Sequence, residues 1–286
     1  MNTFRLIFRT WILLALSVIT VGIWAQNQPD NNNFEPQEGQ EGKDVVWVPT
    51  PQELVEKMLD LAKVTPQDYL MDLGSGDGRT VITAAKRGTQ ALGIEYNPNM
   101  VELSKRNATR EGVGNKAQFV QGDIFESDFS KATVITMFLM TDLNIRLRPT
   151  LLELKPGTRI VSNTFTMQEW TPDETVTIED NCISWCTAYL WIIPAKVQGV
   201  WALPQGELSL NQEFQMITGG LKIANNSASI SDGRLRGNEI SFNVNNAKYT
   251  GNVYGNRIEG VISTGGNNSK WSATRVKPDP IIIPIP

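Results

Sequence analysis

Residues 69–78, YLMDLGSGDG, pass from a short apolar strand into a glycine-rich turn, with Asp72 at the strand tip ahead of Gly74, Gly76 and Gly78. Glycines there let the backbone turn sharply and approach a ligand closely. The helix-forming RTVITAAKR that follows aims its first N–H groups at the same point. An acid ahead of the first glycine suits a ligand with a cationic ammonium and disfavours a pyrophosphate, so this turn differs from the dinucleotide fingerprint. Two more acids fall at the ends of the next two strands. Glu95 closes GIE about 20 residues on, where a carboxylate can accept both hydrogen bonds of a ribose diol. Asp123 ends the tripeptide QGD. Each acid alone is an ordinary loop residue; three at successive strand tips mark the ligand edge of one sheet.

The chain contains no histidine. Ser-His-Asp and Cys-His catalysis, His-ligated zinc and a histidine general base are therefore excluded. Acid–base work falls to carboxylates, Lys, Tyr, Cys, backbone groups or water. Group transfer to a deprotonated nucleophile held in line tolerates this restriction. No metal site is expected, because Cys182 and Cys186 alone make a poor one. Those two cysteines, spaced C-x₃-C, either form a disulfide or stay as free buried thiols.

The elements that must position the acids follow from hydrophobic periodicity. Within VPTPQELVEKML, Thr50 reads as an N-cap, Pro51 as the first helical residue and Glu53 as the capping-box partner. Leu54, Val55, Met58, Leu59 and Ala62 then form one apolar face. Strands at 69–73, 90–95, 116–121, 132–139 and 158–163 are interleaved with helices at 78–87, 99–111 and 142–154. That order predicts an α/β, doubly wound, mostly parallel sheet. Runs 174–180 and 187–194 read as an antiparallel hairpin that brings the sheet to seven strands. Beyond Pro194 the helical pattern stops, and Gly and Asn punctuate short alternating runs. Residues 195–277 are expected to form a small all-β domain of six or seven strands, a sandwich or partial barrel. Gly237-Asn238-Glu239-Ile240 recurs there as Gly255-Asn256-Arg257-Ile258, and the proline-rich tail 278–286 reads as extended. Trp185, Trp191 and Trp201 are expected to pack at the domain junction, with stacking on a substrate as the alternative.

At 286 residues and a net charge of −4 the chain is long enough for two domains and too acidic for broad affinity to nucleic acid. Residues 26–44 and 45–194 are acidic, while residues 195–277 carry a basic excess, nine Lys and Arg against five Asp and Glu. At the N-terminus, Arg5 and Arg9 precede an apolar run from Trp11 to Ala25. Residues 1–25 therefore read as a secretory signal peptide or an uncleaved signal-anchor. Residues 26–44 read as a disordered tether. An exported, periplasmic protein or one anchored to a membrane through residues 4–25 is expected.

Residues 45–194 resemble a class I methyltransferase dependent on S-adenosylmethionine (SAM), through DLGSGDG, GIEYNP and the order of elements. VPTPQELVEKML, FLMTDLNIRLRPTLLELKPGTRIVSNTF and WTPDET narrow the resemblance to the small protein-lysine methyltransferases with mitochondrial members and bacterial relatives. It implies SAM as cofactor, with Asp72, Gly74, Ser75 and Gly76 at its methionine end, Glu95 at the ribose and Asp123 at the adenine. Thr50 and Pro51 would close the pocket. Asn144, Asn163 and Trp170, which follow the fourth and fifth strands, are expected on the substrate side or else in helix-surface or loop packing. The acceptor would be a protein lysine or else a small molecule or lipid, and a non-catalytic exported binding protein is the other class. Export conflicts with SAM being made in the cytosol, which keeps a cytoplasmic location open.

Overall fold

The computed structural model describes residues 34–179 and 182–276. The N-terminal segment 1–25 and the tail 278–286 lie outside the described residues. Helix α1 (Gln52–Leu61) leads into β1 (Tyr69–Leu73), α2 (Arg79–Lys86), β2 (Gln90–Glu95), α3 (Pro98–Arg110) and β3 (Ala117–Gln121). There follow β4 (Val134–Met137), α4 (Thr141–Leu151), β5 (Arg159–Asn163), β6 (Glu174–Thr177) and β7 (Thr187–Ile192). These seven strands make one sheet in the order β3-β2-β1-β4-β5-β7-β6, parallel except where β7 runs against β5 and β6. This is the doubly wound fold expected from the alternation of strands and helices.

Both faces of the sheet are covered, which explains why its central strands are continuously apolar. Leu54, Val55 and Leu59 of α1 and Val81 of α2 pack with Leu70, Val134 and Val161 on one face. Leu143, Leu147 and Leu151 of α4 pack with Met71, Leu73 and Ile135 on the other. The strand tips of β1, β2 and β4 thereby open on one edge, where chain order reverses between β2 and β4 around β1.

The second domain is a closed barrel of eight strands, in place of the expected six or seven in a sandwich or partial barrel. It runs from β8 (Gly199–Leu203), β9 (Gly206–Glu213), β10 (Met216–Ile223) and β11 (Asn226–Arg236) through β12 (Glu239–Val244), β13 (Ala247–Tyr254), β14 (Arg257–Thr264) and β15 (Asn267–Arg275). Closure depends on the short β15–β8 pairing, Thr274 against Ala202 and Arg275 against Trp201. Register between chain-distant strands leaves no mark in local pattern. Stacked Phe242 and Tyr249, with Trp271 edge-on to both, fill the interior.

The junction differs from expectation. Trp170 is fully buried, stacks on Phe214 of the β9–β10 turn at 5.6 Å, and leans on Trp191. Trp191 Nε1–H donates to the Trp170 carbonyl. Gln215 Nε2 donates to the Thr171 carbonyl at 2.8 Å, and Arg234 to the fully buried carboxylate of Asp173 at 2.7 Å. Trp201 belongs to the barrel core, and Trp185 lies away from the junction, at the mouth of the cavity described next. Tryptophan composition alone does not distinguish these three environments.

Candidate active site

A cavity of about 360 Å³ opens at the strand-tip edge, lined by Asp72, Gly74, Ser75, Gly76, Glu95 and Asp123, with Thr50 at its N-terminal side. Positive φ at Gly74 (77°) and Gly76 (54°) carries the chain around the tip of β1. A Cβ on Gly76 would come within 2.7 Å of the Trp47 indole nitrogen. The turn is thus a cradle that a side chain would fill.

Asp72 is almost fully buried, and its Oδ1 accepts from the Thr136 hydroxyl at 2.7 Å. Burial, aided by the negative charges of Glu95 and Asp77, pushes its carboxyl up to about 7. An acid this reluctant to ionise gains most from a cation placed beside it. Glu95 is held by two backbone donors, Gly76 N–H on Oε2 and Asn97 N–H on Oε1, each at 2.9 Å. Its carboxylate is therefore locked to the glycine turn itself.

Asp123 pairs with Lys43, whose ammonium also lies 4.8 Å from the Tyr96 ring centroid. The Lys43 hydrogen bond is the largest influence holding the Asp123 carboxyl below its usual range. Lys43 belongs to residues 26–44, which composition marks as a tether. The structure corrects that reading for 34–44. Gly39 N–H donates to the Trp47 carbonyl and Trp47 N–H to the Gln40 carbonyl, closing a turn, and residues 40–50 form one wall of the cavity. Polar composition does not predict this because the contacts are made to distant strand tips.

Other expected residues fall elsewhere. Thr50 does not cap α1: the N-cap is Pro51, with φ −52° and ψ 135°. The Thr50 hydroxyl instead accepts from Asn163 Nδ2 at 3.2 Å, and its carbonyl accepts from Arg79 at 2.7 Å. Pro51 is not among the lining residues. Asn163 is fully buried and braces Thr50 from the end of β5. Asn144, also fully buried, donates its amide to the carbonyls of Phe165 and Thr166 at 3.1 and 3.3 Å, which pins the loop after β5. Trp170 is at the junction. None of Asn144, Asn163 and Trp170 lines the cavity. Phe138, Phe165 and Trp185 do, and of these the sequence singles out only Trp185, for junction packing or substrate stacking. Loop positions beyond strand tips carry no periodic signal. Cys182 and Cys186 are bridged, with Cα atoms 5.9 Å apart.

The sequence profile of the ANTKMT methyltransferase domain matches residues 72–174. A protein-lysine N-methyltransferase of Saccharolobus islandicus is 45% identical over 152 residues, which cover 52% of this chain and 94% of that protein. The chain belongs to this methyltransferase family. The adenine nucleotide translocase lysine N-methyltransferase of Mus musculus is 33% identical over 120 residues, 41% of this chain and 52% of that protein. The chain thus spans nearly the whole archaeal relative but about half the length of the mouse one. A crystal structure described as an RNA methyltransferase from Salinibacter ruber with S-adenosylhomocysteine is 47% identical, with a TM-score of 0.50, over 52% of this chain and 96% of that one. The matched share of the chain is the length of the methyltransferase domain alone. The domain is a SAM-dependent methyltransferase, as the motif at residues 72–78 implied.

Proposed function

We propose that this methyltransferase transfers a methyl group to the side-chain nitrogen of a protein lysine. The observation that carries the reading is a cavity that joins the Asp72–Gly76 cradle and Glu95 to an apolar aromatic mouth. Bound SAM supplies an electrophilic methyl on a sulfonium. Asp72 would pair with the ammonium of its methionine part, the backbone of Gly74, Ser75 and Gly76 would follow that part closely, and Glu95 would hold the ribose hydroxyls. Asp123 would meet the adenine once its pairing with Lys43 gives way. The acceptor nitrogen attacks only when deprotonated. Withdrawal of the acceptor nitrogen from water inside the cavity penalises its charged form and favours the neutral amine.

The protein-lysine name of the archaeal relative and the lysine N-methyltransferase name of the mouse one support a lysine acceptor. The Salinibacter protein is described as acting on RNA. A net charge of −4 argues against that acceptor here. A small molecule or lipid is the remaining alternative. For location, the Cys182–Cys186 bridge favours an oxidising compartment, in line with an exported or tethered enzyme. Among the described residues no helix is long and apolar enough to cross a membrane. Fractionation with N-terminal sequencing of the mature protein separates exported, tethered and cytosolic forms.

The acceptor is tested by incubating the full chain with tritiated SAM and an extract of its own cells, then hydrolysing the labelled product. Label in methylated lysine is expected. Label confined to RNA, to lipid or to another amino acid would overturn the reading.

A further inference from the structure

Three aromatic rings line one part of the cavity. Phe138 follows the tip of β4, Phe165 follows β5, and Trp185 comes from the connection between β6 and β7. Their centroids lie 5.5 to 5.9 Å from one another, so they form a packed wall rather than an open cage.

The backbone carrying this wall is strained at two places. Thr164 has φ 59° and Trp185 has φ 61°. A β-branched or bulky residue in the left-handed region is disfavoured and persists only where its surroundings impose it. Hydrogen bonds and a covalent bridge impose it here. Thr164 N–H donates to the Thr187 carbonyl at 2.7 Å, tying the two strained loops together. The Ser162 hydroxyl and the Asn144 amide both donate to the Phe165 carbonyl, at 2.7 and 3.1 Å. The Cys182–Cys186 bridge spans the loop that carries Trp185, and Ile178 N–H holds its end by donating to the Cys186 carbonyl. Trp185 nevertheless remains 37% exposed while lining the cavity. Strain and cross-bracing maintained around a ring that is not buried point to presentation, not to core packing.

We infer that Phe138, Phe165 and Trp185 form the acceptor-binding wall of the enzyme, receiving an alkylammonium side chain, and that the Cys182–Cys186 bridge positions Trp185 for that contact. This rests on the lysine reading above and adds the residues that select the acceptor. The aliphatic stem of a lysine lies along aromatic faces, and its ammonium is attracted by their quadrupoles. That attraction persists as methyl groups accumulate, because the charge is kept. Trp185 would act on substrate directly. The two cysteines are positioning residues, and reduction of their bridge would release the loop.

Binding of Nα-acetyl-Nε-trimethyllysine methylamide to the full chain saturated with S-adenosylhomocysteine, followed by ligand-observed NMR, tests the wall. The neutral norleucine analogue is the control. The trimethyllysine probe is expected to bind about tenfold more tightly than norleucine, to lose about tenfold in Trp185→Ala, and to stay within about threefold in Trp185→Phe. Dithiothreitol should weaken binding to the wild type and leave the Cys182→Ser/Cys186→Ser double variant, already weakened, unchanged. Affinity for S-adenosylhomocysteine should hold in every variant, which shows that each has folded. Equal binding of both analogues, or a Trp185→Ala variant that binds like the wild type, would overturn the assignment. Failure of the lysine reading looks different. Probe bound at the wall with label in a residue other than lysine sinks that reading alone. Methyl-lysine formed with an unchanged acceptor KM in Trp185→Ala sinks the wall alone.

Discussion

Asp72 shows how a single residue ties function to a cost in stability. Its carboxyl sits near 7 because burial penalises the charge, while the unfolded chain would ionise it near the ordinary value of 3.8. The folded state therefore keeps a proton that the unfolded state has lost between those values. The stability this group contributes is full below about 4 and is lost as pH rises towards 7. Two expectations follow, with opposite signs. Without ligand, Asp72→Asn should melt above the wild type at pH 8, measured by scanning calorimetry. With SAM the order reverses, because only the ionised acid pairs with the ligand ammonium. Wild-type affinity should climb by up to about tenfold per pH unit below 7 and level off above it, and the Asn variant should show a flat, weak profile. Titration calorimetry at several pH values would reveal this, and a flat wild-type profile would remove Asp72 from the ammonium contact. Gly76 offers a second residue test. Its Ala variant combines φ 54° with a contact to Trp47, so SAM binding should drop while the sheet stays intact by circular dichroism.

At the scale of elements, the loop after β5 and the segment before α1 decide the shape of the cavity. Its place after the fourth strand suggests the substrate side for Asn144, and the structure makes it the brace of the Phe165 loop. Asn144→Ala should destabilise the domain by about 2 kcal/mol in urea unfolding, since it removes buried amide bonds and takes the amide donor from the Thr166 carbonyl, while the Phe165 carbonyl keeps Ser162. It should also raise the acceptor KM more than it lowers kcat. A substrate-binding Asn144 would instead lower activity with little change in unfolding midpoint. Asp72, Gly74, Gly76 and Glu95 are legible in the sequence because a strand, a turn and a helix in succession place them by local rules. Lys43 and Trp47 are not, because the segment before α1 folds onto the site only through contacts such as Asp123 and Gly76, distant in the chain. Phe138 and Phe165 lie just past strand ends, where no periodicity distinguishes a pocket-lining ring from a buried one.

On the scale of the whole molecule, the methyltransferase domain and the barrel are joined by a junction with an aromatic centre and a charged rim. Trp170 stacks on Phe214, Gln215 reaches the Thr171 carbonyl, and Arg234 and Arg236 pair with Asp173 and Glu174. Such a seam should couple the two units, so a single calorimetric transition is expected for the wild type. Phe214→Ala should lower it by about 1–3 kcal/mol equivalent and separate a barrel transition from a methyltransferase one. Two independent transitions in the wild type would show that the seam does not couple them. The barrel is legible as an all-β unit from its alternation and its glycine punctuation, but its closure is not, since that rests on the β15–β8 register alone. Methyl transfer by this molecule requires the cavity at the strand tips to hold SAM, and titration calorimetry of the full chain with SAM tests this most directly. Saturable one-to-one binding is predicted, weakened about tenfold or more by Asp72→Ala or Glu95→Ala, about 1.4 kcal/mol. Absence of binding in the unmutated protein, or binding indifferent to both substitutions, would contradict it.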